Sequence, residues 1–283
     1  MAIHIRLETQ NDFRKIEELT REAFWGFTRS TCDEHYLVHL LRRAAAFIPE
    51  LDFVAEVDGR LAGNVMYSKA KVVDDKGKEN EVITFGPLSV LPEYWHSGVG
   101  TALMKHSILK ARDLGYRGIL FHGHPDYYPR FGFQNAGVFG ITNADGYNYD
   151  ALMAMELYDN ALKGIHGRFF EDPLFEIRPE DAEKYDREHF TKKEAVKLVP
   201  ISVLLERLPE EAQKAITAVG DITTLPWLNR FSGREMLTWE GMNEDCLRTV
   251  NEVLTEYGYS KKLFPGCVIL ERAKKGIKAL AYV

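Results

Sequence analysis

From Val90 to Leu103 the chain reads VLPEYWHSGVGTAL, an apolar segment that passes through a proline-broken turn and two glycines into a helical pattern. A junction of this kind gathers unpaired backbone N–H groups at the positive end of a helix dipole, which is chemistry for holding an anion, phosphate above all. Gly98 and Gly100 keep side chains out of that point, so His96, Ser97, Gly98, Val99, Gly100 and Thr101 form the candidate cradle. A second cluster suits proton transfer. His122 and His124 flank Gly123 at the end of an apolar run, titrate near neutral pH, and share a face if the strand continues that far. They are candidate general bases. A metal site is the other chemistry open to two histidines, but the spacing places no third ligand, so none is expected.

Three phosphate-binding patterns compete for the glycine turn. A P-loop needs Lys and then Ser/Thr after the second glycine, where this chain has Thr101-Ala102. A dinucleotide fingerprint needs a third glycine where Leu103 stands, and an acidic residue closing a second parallel strand. The pyrophosphate of coenzyme A remains.

The elements that must position these residues follow from periodicity and turn chemistry. Ile3 to Leu7 reads as a strand; Thr9 to Phe24 and Asp33 to Ala46 read as amphipathic helices. Phe53 to Val57, Leu61 to Val73 and Val82 to Val90 form an antiparallel meander, turning at Asp58-Gly59 and at Asp74 to Asn80. Gly98 to Leu114 is a helix stopped by Gly115, and Arg117 to His122 and Ala151 to Leu157 are strands. This order gives an α+β fold with a mixed sheet.

Composition bounds the function classes. The 283 residues are 45% hydrophobic and 12% aromatic, enough to bury a full core, and the net charge of -6 leaves no basic field for nucleic acid or anionic lipid. No apolar run has the length of a membrane span, and the charged first thirty residues fit no secretory signal. Cys32, Cys246 and Cys267 are too scattered for a disulfide framework. A cytoplasmic address is the expectation.

Two further motifs carry a family resemblance. Trp95-His96-Ser97-Gly98-Val99-Gly100 is similar to the Q/R-x-x-G-x-G/A pyrophosphate loop of the GNAT superfamily of acyl-CoA-dependent N-acetyltransferases, with Trp95 where the family has Gln or Arg. Gly86-Pro87-Leu88-Ser89-Val90 resembles the family's bulged fourth strand, and Tyr127-Tyr128-Pro129-Arg130-Phe131-Gly132-Phe133 resembles its Y-x-x-x-G-F element. The run from Gly86 to Phe133 resembles the bacterial subgroup with a YYPRFGF motif. The resemblance implies a GNAT fold, a mixed and mostly antiparallel central sheet flanked by helices. It implies acetyl-CoA as co-substrate, bound along Leu88, Ser89, Val90 and the loop, with the Leu88 N–H as oxyanion donor and Tyr128 as the acid that meets the leaving thiolate. It places no base at a fixed position.

The resemblance covers residues 1–172, the expected acetyltransferase domain. Residues 173–283 read as an accessory α+β domain or extension. Helices are expected at Pro179 to Phe190, Ala195 to Leu208, Glu210 to Val219 and Glu244 to Tyr257, a strand at Glu235 to Trp239, and a hairpin from Cys267 to Leu270 and Lys278 to Val283. The expected partner is a small-molecule or peptide amine, and a homodimer is compatible with the sequence. The competing class is a non-catalytic acyl-CoA sensor or interaction module.

Overall fold

The computed structural model describes residues 2–26, 31–123, 127–195, 198–218, 222–229, 231 and 233–259. Its contacts divide the chain into two compact units, the first holding residues 1–25 and 31–194, the second residues 26–30 and 195–283.

In the first unit the chain runs β1 (Ile3–Leu7), α1 (Phe13–Phe24), α2 (Glu34–Leu41), β2 (Phe53–Val57), β3 (Arg60–Val73), β4 (Glu79–Val90), α3 (Val99–Asp113) and β5 (Gly118–His122). Short β6 (Gln134–Asn135) and β7 (Ile141–Thr142), then β8 (Leu152–Glu156), β9 (Gly167–Phe170) and α4 (Pro179–His189), complete it. The strands form one sheet in the order β1-β2-β3-β4-β5-β8-β6, with β9 paired to β3 and β7. The β4–β5 and β7–β9 pairs are parallel and the other pairs antiparallel.

The expected meander is present. Asp58 and Gly59 both take positive φ, as a tight hairpin with the native twist requires. Alternation along the strands sorts the core into two faces. Val65, Tyr67, Ile83, Phe85, Ile119 and Phe121 pack with Val99, Leu103, Met104 and Ile108 of α3. Met66 and Val54 pack with Ile16 and Leu19 of α1 and with Val38 and Leu41 of α2. Gly63 lets α3 press close on the first of these faces. A Cβ there would stand 2.8 Å from the Ser89 carbonyl oxygen and 3.0 Å from side-chain atoms of both Val99 and Leu103.

The first unit extends past the expected boundary at 172/173 because α4 is tied to α1. Arg21 Nη2 donates to Asp186 Oδ2 at 2.9 Å, Tyr185 Oη donates to Glu17 Oε2 at 2.9 Å, and the Arg14 guanidinium lies 3.7 Å from the centre of the Phe190 ring. Asp12 caps nothing with its side chain. Its carboxylate is held by Arg6 and by the N–H of Thr9, so α1 starts at Phe13 rather than at Thr9.

The described part of the second unit is helical: α5 (Ser202–Leu205), α6 (Glu210–Ala218), α7 (Leu225–Leu228), α8 (Gly233–Met236) and α9 (Glu244–Glu256). Leu204, Ile216, Leu225, Leu228, Met236, Leu247 and Val250 form its core. Two expectations are corrected. The helix expected over Ala195 to Leu208 contracts to α5, since Pro200 pairs in a bridge with Thr224 and Ile201 N–H goes to Thr223. The strand expected at Glu235 to Trp239 is α8 and a turn: the N–H groups of Leu237 and Trp239 donate to Gly233 and Met236, which keeps the segment coiled. The expected hairpin from Cys267 onward lies outside the described residues. No helix among the described residues is long and apolar enough to cross a membrane.

Gly63→Ala is expected to destabilise the protein by about 1–3 kcal/mol, because a fixed backbone carbonyl stands where the methyl must go. The urea midpoint of the variant against wild type measures it.

Candidate active site

The parallel pair β4–β5 is joined at one register position, Ile83↔Ile119. Beyond it the two strands part. On its other edge β4 stays paired with β3, but the register slips by one residue: Val65 faces Leu88 and Tyr67 faces Phe85, so Gly86-Pro87 is opposed by Met66 alone. This is a bulge at the glycine-proline pair that the sequence singles out. Leu91 N–H donates to Ala62 of β3, so by the two-residue period of a strand the N–H of Ser89 also faces β3, while those of Leu88 and Val90 face the open side. The Ser89 side chain turns to α1, its Oγ 3.0 Å from Oγ of Thr20.

The glycine turn closes the far end of β4. Trp95 occupies the place of a Gln or Arg side-chain donor and spends its own donor locally, Nε1 donating to the Val90 carbonyl at 2.8 Å. His96 takes φ 59° and Gly98, the residue before α3, takes φ 91°. The first i→i−4 bond of α3 runs from Ala102 N–H to Gly98, and no side chain caps the helix. The N–H groups of Val99, Gly100 and Thr101 therefore precede the helical ladder and line up at its amino end. Val99 is buried in the core and anchors this end, while His96 is exposed.

The two phenols divide between packing and the turn. Tyr128 lies edge-on to Phe121 with ring centres 4.5 Å apart and touches Phe85 and Phe133 on the α3 face of the sheet. Tyr127 reaches the helix: its Oη is 3.4 Å from where a Cβ on Gly100 would sit. Both belong to a 3-10 turn, Tyr128–Phe131 with Tyr127 before it, ended by Gly132 at φ 98°.

On the opposite face His122 closes β5. Its Nδ1 is 2.7 Å from Tyr149 Oη, and its Nε2 is 3.9 Å from Oε2 of Glu171. Thr84 Oγ1 donates to Glu171 Oε1 at 3.2 Å. Burial pushes the Glu171 carboxyl above the usual carboxylate range and the His122 imidazole below its ordinary value. His124 lies outside the described residues, and β5 ends at His122.

The structure sets Tyr127 against Gly100 at the amino end of α3 and Tyr128 against Phe85 and Phe121 of β4 and β5, with His122 on the opposite face of β5 beside Tyr149 and Glu171. Glu171 and Tyr149 are the additions that sequence reasoning lacks. Neither belongs to a motif; the only local signal is an acidic residue just past an aromatic strand, Phe169-Phe170-Glu171. Among the described residues no group of three or more His, Cys, Asp or Glu is placed to hold a metal ion.

A sheet whose parallel central pair opens beside a bare helix amino end is the architecture of an acyl-coenzyme A acetyltransferase. The sequence matches the acetyltransferase (GNAT) family over residues 13–133. It is 30% identical over 139 residues to the N-acetyltransferase YjhQ of Escherichia coli K12, spanning 47% of this chain and 72% of that protein. The N-acetyltransferase YhbS of the same strain is 29% identical over 164 residues, 58% of this chain and 92% of that one. The solved structure of Escherichia coli YhbS in complex with CoA superposes with a TM-score of 0.55 at 27% identity, covering 62% of this chain and 92% of that one. A GNAT acetyltransferase from Brucella melitensis in complex with acetyl-CoA gives 0.50 at 27% identity, covering 62% and 99%. The chain belongs to the GNAT family of acetyltransferases.

Gly98→Ala meets no atom within 4 Å, so its cost is conformational. A residue with a Cβ held at φ 91° is expected to lose about 1–2 kcal/mol, read as a lower thermal midpoint with the fold intact by circular dichroism.

Proposed function

We propose that this protein transfers an acetyl group from acetyl-CoA to a primary amine of a small molecule or peptide by direct attack. The observation that carries the reading is the β4–β5 gap, opening next to the uncapped amino end of α3. Phosphate oxygens of the cofactor bind the N–H groups from Gly98 to Thr101, with His96 and Ser97 shaping the turn and no metal required. Its pantetheine arm follows the free edge of β4 along Leu88, Ser89 and Val90. The thioester then reaches the gap, with the amine arriving from the face that carries His122.

The chemistry follows from which groups face the reacting carbon. As the C–N bond forms, negative charge grows on the thioester oxygen, and the Leu88 N–H, directed to the open side, is the donor for it. As the C–S bond breaks, Tyr128 supplies a proton to the coenzyme A thiolate, the ordinary phenol pKa near 10 being close enough to a thiol's for that exchange. The acceptor's proton leaves on the His122 side. Tyr127, whose hydroxyl reaches the amino end of α3, contacts the cofactor instead.

Gly100→Glu puts a side chain and a negative charge into the cradle, and coenzyme A binding should vanish in calorimetry; unchanged affinity would remove the pyrophosphate from this turn. Tyr128→Phe keeps the ring packing and should slow single-turnover acetyl transfer about 10- to 1000-fold at little-changed cofactor affinity. Tyr127→Phe should weaken coenzyme A binding more than it slows chemistry. A Tyr128 variant as fast as wild type would move the acid elsewhere.

A further inference from the structure

The gap has a carboxylate on its acceptor face that bridges the two parted strands. Glu171 Oε1 accepts from Thr84, which is fully buried on β4 one residue past the last β4–β5 pair. Glu171 Oε2 looks toward Nε2 of His122, the last residue of β5. The 3.9 Å between them is too long for a hydrogen bond, so Oε2 keeps its lone pairs for a donor brought by a ligand. Among the described residues no lysine or arginine pairs with Glu171, and no donor reaches Oε2. A buried carboxylate left without a cation is costly, and a ligand cation is what removes the cost.

The tautomer of His122 decides which group takes a proton. The Tyr149 phenol is a far stronger acid than a neutral imidazole N–H, so Tyr149 donates to Nδ1 and the His122 proton stays on Nε2, directed at Glu171. In this state His122 is a donor. The free lone pairs belong to Glu171 Oε2.

The geometry points to Glu171 as the catalytic residue that binds the acceptor as an aliphatic primary ammonium and takes its proton, with His122 as the positioning residue. This rests on the transferase reading above. The ammonium gives one proton to the Glu171 carboxylate, which later releases it to solvent. The neutral amine then attacks, its C–N bond forming and the thioester C–S bond breaking. The amide nitrogen loses its second proton by the same Glu171 route to solvent, and Tyr128, having protonated the thiolate, takes a proton back from solvent, so the products are the N-acetyl amine, coenzyme A thiol and one released proton. Among the described residues, the groups facing Glu171 are Thr84 from β4, His122 from β5 and Tyr149 from the loop before β8, with Asp145 acting on Tyr149 from that same loop.

The pH dependence has a definite sign. Burial raises the Glu171 pKa, so the base form fills, and the rate rises, as pH rises through that raised value. Stability runs the other way. A carboxyl raised in the folded state stabilises below its unfolded pKa and loses that contribution as pH climbs through the folded one. Glu171→Gln should therefore be at least as stable as wild type at neutral pH, with its relative advantage growing as pH rises from the ordinary carboxylate pKa through the raised one.

The test uses full-length protein, acetyl-CoA and a panel of alkyl monoamines, diamines, polyamines and peptides with free α-amino ends. For the best acceptor, Glu171→Gln should lower kcat/KM about 10²- to 10⁴-fold near neutral pH with little change in coenzyme A affinity. The deficit should shrink at high pH, where the acceptor is already neutral, and His122→Gln should cost less than Glu171→Gln. Undiminished turnover in Glu171→Gln refutes the assignment, as does a larger loss in His122→Gln. So does a deficit equal at every pH together with a lowered thermal midpoint, the pattern of a structural role. If wild type transfers to no member of the panel, the transferase reading itself fails and the assignment falls with it.

Discussion

The parting of β4 from β5 after a single ladder pair is the constraint on which the rest of the first unit depends. Backbone groups exposed along a strand edge inside a folded core are a liability, because each must find a partner or solvent. Here they remain open because each parted strand is firmly paired elsewhere, β4 to β3 over nearly its whole length and β5 to β8 over all five residues. The two edges of the gap are thus fixed independently. A small molecule with amides of its own can satisfy them without remodelling the sheet, and α3 stands ready at the end of that edge to receive charged oxygens.

Around the gap the helices are held by buried charge as much as by apolar packing. Arg6 is clamped between Asp12 and Glu56, and Arg42 between Glu8 and Glu17. Arg21 and Asp186 join α1 to the segment that carries α4. Each such ion gives up hydration and keeps its place only because its partners are fixed, which favours one arrangement of α1, α2 and α4 over near alternatives. Glu171 is the exception: it is hydrogen-bonded by a threonine, lies close to His122, and among the described residues pairs with no lysine or arginine.

What the sequence disclosed were local features. The hairpin at Asp58-Gly59, the helix from Val99 with its stop at Gly115, the break at Gly86-Pro87 and the glycine turn each state their geometry within a few residues. Contacts made over long separations were not disclosed. Thr84 and Glu171 are brought together by the pairing of β9 with β3, and Arg21 meets Asp186 across most of the unit. A polar residue on a helix reads as solvent-facing from periodicity alone, yet Glu17 and Arg21 of α1 are buried. In the second unit α6 and the Asn243-capped α9 were legible, whereas the four-residue α5 and α8 were not, being too short for periodicity to mark and set by tertiary packing.

The bulge at Gly86-Pro87 also acts as a frame. Along an unbroken strand Thr84 and Ser89, five positions apart, would project to opposite sides. The extra residue restores their agreement: they lie opposite Ser68 and Asn64 on the helix α1 side, while Phe85, Leu88 and Val90 share the α3 side. Phase is therefore stored at one peptide. Losing a single residue from this strand would transpose its distal half, exchanging the side chains that face α3 for those that face α1, although almost every amino acid would survive. The spacing between Thr84 and the glycine turn therefore constrains the strand more tightly than the identity of most residues that fill it.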